Sequence, residues 1–339
     1  MSNASSARKL LLPLVPAYRL ALLLREARLR TGLEPVRRLR FPVVSIGNLS
    51  TGGAGKTPLT IALAKALERR GLCVDVLSRG YGRSGQRPAR VNPDGSEEDY
   101  GDEPLLIARE TGVPVYVAGQ RYEAGLLAEA DAPEGSSRMH LLDDGFQHRQ
   151  LARDVDILLL NQRDWQDWLL PAGNLREPLE AIRHASVIAI PANEPELESA
   201  LHVWGWMGPV WLLHRTMEIP AVSGPVAAFC GIARPEQFFA GLEADGLKVV
   251  LKLPFPDHFT YTRRVLEELL TEARNKEVSA MITTDKDLVR LGNLTSLCPP
   301  SMPLITARLR SEIENQAEAI DWLVDQLRQS SAAEGVPSR

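Results

Sequence analysis

The chain has 339 residues, 44% apolar and 24% charged, enough to bury a core and long enough for two ordinary domains. Three cysteines, Cys73, Cys230 and Cys298, are too scattered for a disulfide framework or a C-x-x-C metal knuckle, so each reads as a small buried residue in a reducing compartment. The net charge of −4 hides an asymmetry: residues 1–40 carry nine basic and two acidic side chains, a net +7, leaving −11 on the body and no basic surface there for nucleic acid.

In chain order, residues 1–7 and about the last ten residues are tails of small and polar composition, expected to lack structure. The leader "RKLLLPLVPAYRLALLLREARLR" follows. Its apolar run is broken by Pro13, Pro16 and Arg19 and falls short of the roughly 20 residues a membrane span needs. No small-residue cleavage site follows, which excludes a secretory signal. Two readings stay open: a helix packed on the protein's own core, or a helix lying in a membrane interface with leucines inward and arginines at the headgroups.

From Phe41 strands and helices alternate. Strands are expected at 41–48, 73–78, 113–118, 139–144, 154–161 and 185–192, with helices at 58–70, 103–112 and 122–130. The alternation weakens across 191–220 and restarts with strands at 225–231, 248–254 and 279–285 and helices at 235–246, 263–276 and 313–328. This pattern predicts an α/β fold with a doubly wound, mostly parallel sheet and a second, smaller α/β domain. The divisions fall at 1–34 for the leader, 35–218 for the first domain and 219–339 for the second.

"GNLSTGGAGKTP", residues 47–58, lies between a strand and a helix, the context of a phosphate-binding loop. Ser50 stands where the motif usually opens with glycine. Ser50, Thr51, Gly52, Gly53, Ala54 and Gly55 would wrap phosphates with backbone N–H groups, Lys56 would reach the β- and γ-phosphates, and Thr57 would bind Mg²⁺. "MHLLDDGFQH" ends an apolar strand in Asp143 and Asp144, which either form a simple turn or hold Mg²⁺. "SRGYGR" offers Arg79 beside glycines, suited to an anion or to solvent. In "GDEP", Asp102 could cap a helix or act as a base on a hydroxyl. "PAGNLREP" holds Arg176 and Glu177 between prolines. His258 in "FPDHF" stands alone, which more often marks a structural histidine. No zincin or serine-hydrolase motif is present.

These stretches, with "TTDKDLVRL", occur in one order along one chain, and that ordered set resembles the tetraacyldisaccharide 4'-kinase family from the leader to about Leu291. The resemblance implies a P-loop lipid kinase of lipid A synthesis. ATP with Mg²⁺ would phosphorylate the 4'-hydroxyl of an acylated glucosamine disaccharide phosphate, giving lipid IV-A. It further implies that the leader lies on an anionic membrane at the cytoplasmic face of the inner membrane, with no nucleic acid or protein partner. By position, Asp102 matches the catalytic acid and His258 its partner from the second domain, with Lys56 serving the nucleotide. Thr57, Asp143, Asp144 and Glu177 match the metal side, and Gln147 and His148 lie near the nucleotide. Arg79, Tyr81, Arg121 and Arg176 are matched to the substrate. Two positions depart from the family pattern: Asp285 where glutamate is frequent, and Phe259 after the histidine. A soluble kinase of small acids and a slow nucleotide switch are the competing readings; neither needs a membrane-bound leader.

Overall fold

The structure, a computed structural model, describes Arg8 and residues 10–334, with side chains through Ser330. The N-terminal tail, residues 1–7, lies outside the described residues. In chain order the first elements are α1 (Val15–Arg30), β1 (Val43–Asn48), α2 (Lys56–Arg69), β2 (Cys73–Ser78), β3 (Ala89–Arg90), α3 (Asp102–Thr111), β4 (Val115–Val117) and α4 (Arg121–Ala130). Next come β5 (Arg138–Asp143), β6 (Val155–Leu159), β7 (Val187–Pro191), α5 (Pro195–Trp204) and β8 (Val210–Glu218). The remainder is β9 (Pro225–Cys230), α6 (Pro235–Ala244), β10 (Lys248–Pro254), α7 (Arg263–Asn275), β11 (Ala280–Thr284), α8 (Asp285–Leu291), β12 (Leu304–Ile313) and α9 (Gln316–Glu334).

All these strands join one sheet in the order β10-β9-β11-β12-β8-β7-β6-β1-β5-β2-β4-β3. The expected mostly parallel α/β sheet is present: only β12–β8 and β3–β4 pair antiparallel. Strands β1, β6 and β7 are buried along their whole length, because helices cover both faces and leave no polar side. β1 is paired with β5 on one side and β6 on the other. The crevice at the carboxyl end of β1 is therefore a topological switch point, where open α/β sheets bind ligands.

The region where alternation weakened holds α5 and β8, and β12 was not foreseen. β8 and β12 form an antiparallel ribbon from Glu218–Arg308 to Leu213–Ile313 and join the two parallel halves edge to edge. The final helix begins at Gln316 rather than Ile313, which closes β12, and runs to Glu334, into the tail expected to lack structure. Although it follows the second unit in sequence, it packs with the first: Ala319, Ile320, Leu323 and Leu327 share one core with Leu59 and Leu63 of α2 and Leu105 of α3. Cys73 is exposed, contrary to the expectation that all three cysteines are buried.

Leu323 is fully buried. Leu323→Ala should cost about 2–5 kcal/mol of stability in urea unfolding if the last helix completes the first core. A cost near zero would show that it does not.

Candidate active site

The loop after β1 takes the shape its glycines permit. Gly52, Gly53 and Gly55 have φ of 72°, 53° and 89°, a region that L side chains rarely adopt. A Cβ on Gly55 would also come within 2.9 Å of the Arg215 guanidinium. Arg215 donates to the Ala54 carbonyl and so clamps the loop from β8. Thr51 N–H donates to Asn174 O at 2.8 Å, and Arg176 N–H to Leu49 O at 2.6 Å, fixing the loop to the 171–178 segment. Ser50, nearly fully buried, accepts from Asn48 Nδ2 at 3.1 Å, so the serine in place of glycine is tied into the strand end.

Lys56 and Thr57 open α2, where the helix N-terminus adds positive potential. Lys56 Nζ donates to Asn48 Oδ1 at 3.0 Å and lies 3.5 Å from Asp144 Oδ1. Arg176 forms a two-pronged pair with Asp144, at 2.9 and 3.1 Å, and reaches Asn48 Oδ1 at 2.7 Å. Gln147 donates to Asn48 O at 2.8 Å. Asp144 has φ of 50°, a conformation that costs a non-glycine residue about 1–3 kcal/mol and is held here by its two cations.

Asp143 ends β5 under a hydrogen bond from Thr60 Oγ1 at 3.0 Å. Burial, reinforced by Glu103 and Asp144, pushes its carboxyl up to about 7. Burial would raise Asp144 too, but Lys56 and Arg176 overcome it and hold that carboxyl well below the usual range. A hard cation would restore the charge that burial and the neighbouring acids suppress on Asp143, and the buried Thr57 at the head of α2 offers a hydroxyl. Among the described residues no three Asp, Glu, His or Cys side chains form a closed cage. Two carboxylates and a hydroxyl are the donors Mg²⁺ takes when it shares its ligands with phosphates. Glu177 faces Arg25 at 3.4 Å, and burial raises its carboxyl.

A second cluster lies on the far side of Glu103. Asp102, 5% exposed, is the first residue of α3; Gly101 occupies the cap position, so the expectation that Asp102 caps the helix is corrected. Gly101 has φ of 88°, and a Cβ there would meet Tyr81 O at 2.8 Å, which binds the Ser78–Arg83 loop against the start of α3. His258 Nδ1 lies 3.2 Å from Asp102 Oδ2, and the Tyr81 ring packs at a tilt against the His258 ring, centroids 5.2 Å apart. His258 too is left-handed, with φ of 57°. Burial would raise Asp102, but the His258 hydrogen bond and then Arg290 and Lys286 hold it well below the usual carboxylate range. The Asp102 hydrogen bond in turn raises His258. Glu103 is lowered chiefly by Lys286 and also senses Lys56, so it links the two clusters.

Arg79, Arg121, Gln147, His148, Asp144 and Arg176 line one cleft of about 480 Å³, together with Arg25 of α1 and Arg37. Arg121 is buried, its Nε has no partner, and burial pushes it down to about 10, still a cation at neutral pH. His148 is driven down to about 4 by burial and then by Arg121, so it is neutral there.

The family described as Tetraacyldisaccharide-1-P 4'-kinase matches residues 7–328. The chain belongs to that family. Tetraacyldisaccharide 4'-kinase of Koribacter versatilis is 39% identical to this kinase over 92% of the chain and 97% of its own length. The enzyme of the same name from Anaeromyxobacter dehalogenans is 39% identical over 85% and 82%. A crystal structure of "apo" form LpxK from Aquifex aeolicus in complex with ATP superposes with a TM-score of 0.74 at 31% identity, covering 95% of this chain and 99% of that one. The chain is thus a lipid kinase by family, with ATP and Mg²⁺ as cofactors.

Sequence reasoning missed Asn48, which receives both Lys56 and Arg176, and Arg290, which grips Asp102. A buried asparagine directly before the loop was the available signal for the first. The second lies 188 residues from its partner; its signal was the TTDKDLVRL stretch that contains it, to which no role could be given from local sequence.

A carboxyl raised in the folded state contributes stability that is full below the unfolded value near 4 and is lost as pH rises through its folded value. For Asp143 that loss extends up to about 7. Asp143→Asn should therefore flatten the fall in melting temperature of nucleotide-free, magnesium-free protein between about pH 4 and 7. An unchanged slope would contradict the assignment.

Proposed function

We propose that this kinase carries the γ-phosphoryl group of ATP to the 4'-hydroxyl of tetraacyldisaccharide 1-phosphate, giving lipid IV-A, with Asp102 as proton acceptor and His258 as its partner. The observation that carries the reading is the arginine-lined cleft. It runs from Asp144 and Arg176 beside the nucleotide loop to Arg25 on α1. On α1, Leu20, Leu23 and Leu24 are each more than half exposed, while Val15, Tyr18 and Leu22 pack inward. An anionic head group thus has a basic path and acyl chains have an apolar helix at its end. No helix of the described residues is long and apolar enough to cross a membrane. We place α1 in the interface at the cytoplasmic face of the inner membrane, its leucines inward and Arg19, Arg28 and Arg30 at the headgroups.

The backbone N–H groups of Gly52–Gly55 and the Lys56 ammonium would hold the β- and γ-phosphates, the Thr51 N–H being given to Asn174 O. Thr57, Asp143 and Asp144 would hold Mg²⁺, which would supply charge neutralisation to the transferring group; Glu177, expected on the metal side, pairs with Arg25. Arg79, Arg121 and Arg176 orient the anionic acceptor, Tyr81 steadies the His258 ring, and Gln147 and neutral His148 complete the wall. Asp102 need only take the hydroxyl proton late, because the transition state is loose; a low proton affinity is compatible with that task. His258 keeps the carboxylate oriented and can share the proton. The chain works as a first domain, 35–218, that carries nucleotide and Asp102, and a smaller one, from 219, that delivers His258. Closure of one on the other precedes transfer and excludes water.

With γ-labelled ATP and the tetraacyl disaccharide phosphate in micelles, Asp102→Asn and His258→Ala should each lower transfer about 10²–10⁴-fold while the ATP Kd stays within about threefold. A Kd that collapses with the rate would move these residues to the nucleotide site. Lys56→Ala should weaken both ATP binding and transfer. A nucleotide switch predicts instead that ATP turnover ignores the lipid and survives His258→Ala.

Replacing Leu20, Leu23 and Leu24 together with Glu should release the protein from vesicles of anionic phospholipid, read by cosedimentation. Retained binding would place α1 away from the membrane.

A further inference from the structure

The segment Thr283–Asp287, whose Lys286 reaches the Asp102–Glu103 cluster, is held by a dense set of side-chain hydrogen bonds. Thr284 donates to Asp287 Oδ2 at 2.6 Å and accepts from its N–H at 3.1 Å, capping α8. Asp287 is fully buried, and its Oδ1 accepts from Gly231 N at 3.0 Å, Tyr261 Oη at 3.0 Å and Arg290 Nη1 at 3.1 Å. Lys286 and Arg290 stand four residues apart, on one face of α8. They meet consecutive carboxylates in the first turn of α3: Lys286 donates to Glu103, and Arg290 to Asp102 through Nε at 2.8 Å and through Nη2. Arg290 Nη1 also donates to Gly231 O, the same carbonyl that receives His258 N–H at 3.2 Å. The side chains of Arg290 and Asp102 are 2% and 5% exposed.

We propose that Arg290, anchored by Asp287, is a positioning residue for phosphoryl transfer that holds Asp102 in register with His258 across the junction of the two units. The inference rests on the reading of Asp102 as proton acceptor. One planar guanidinium spans Asp102, Asp287 and Gly231 O; a lysine has no fork with which to do so. The groups facing Asp102 are His258 from the β10–α7 connection, Arg290 and Lys286 from α8, Glu97 from the turn before α3, and Glu103 beside it. Arg290 favours the ionised carboxylate, so its loss raises the proton affinity of Asp102 and moves the acid limb of activity to higher pH. Its loss also frees the carboxylate to turn away from His258, which lowers kcat and leaves nucleotide binding alone.

The test is kcat, the KM for ATP and the pH dependence of kcat for Arg290→Gln and Arg290→Lys, with Asp102→Asn alongside. Arg290→Gln should lower kcat about 10²-fold at an unchanged ATP KM, with the acid limb at higher pH; Arg290→Lys should recover part of both. Wild-type kcat and acid limb in Arg290→Gln would overturn the proposal, as would a loss of activity whose residual pH profile is unmoved. If Arg290→Gln does not fold, Arg290→Lys decides: reduced kcat at normal ATP KM supports the role, and wild-type kcat or failure to fold overturns it. A fully active Asp102→Asn would remove the acceptor reading itself. An inactive Asp102→Asn beside an unperturbed Arg290→Gln removes only the role of Arg290.

Discussion

The carboxylate of Asp102 is the point on which the two halves of the molecule converge. It is buried at the head of α3, in the half of the sheet that carries the phosphate loop, and its partners His258 and Arg290 come from the other half. A buried carboxylate without partners would lose its charge. His258 and Arg290 prevent that, and both belong to the chain between β10 and β12. The ionised state of this one group therefore depends on how the second unit sits on the first.

The rest of the architecture provides that seating. The β8–β12 ribbon makes one continuous sheet of two parallel halves, so the carboxyl ends of β1 and β5 lie on a frame shared with β9 and β11. α9 returns to the first core after the second unit is complete, so the chain crosses between the halves twice. Asp144 and His258 share left-handed backbone with Glu277 and Asn315, but these two lie at the crevice, where Arg176 holds Asp144 and Asp102 holds His258. On this account nucleotide, metal ligands and acceptor cleft belong to the first unit, and the second supplies the groups that make transfer to a hydroxyl selective over water.

Much of this was readable from the chain. Strands such as VDILL and VIAIP announce themselves because both faces are buried and nothing polar interrupts them. The glycine-lysine-threonine loop falls between β1 and α2, and the paired acids fall at the end of β5, as the sequence pattern led one to expect. The ribbon strands were not visible. VWLLHRTME and LITARLRSEI mix apolar, basic and acidic residues because much of each is exposed, and antiparallel partners nearly a hundred residues apart leave no local signature. Local sequence left Asp102 open between a helix cap and a base, because it shows the turn Asp102 begins and not the arginine that grips it. Lys286 and Arg290 became meaningful only once the fold set α8 against α3.

Phosphate transferred in a closed site should go to a hydroxyl and not to water. The most direct measurement is the rate at which the unmodified protein consumes γ-labelled ATP with and without tetraacyldisaccharide 1-phosphate, with the destination of the label followed in each case. The account predicts label in the lipid when lipid is present, and release of free phosphate at least about 10²-fold slower when it is absent. Equal consumption in both, with label appearing as free phosphate, would contradict it.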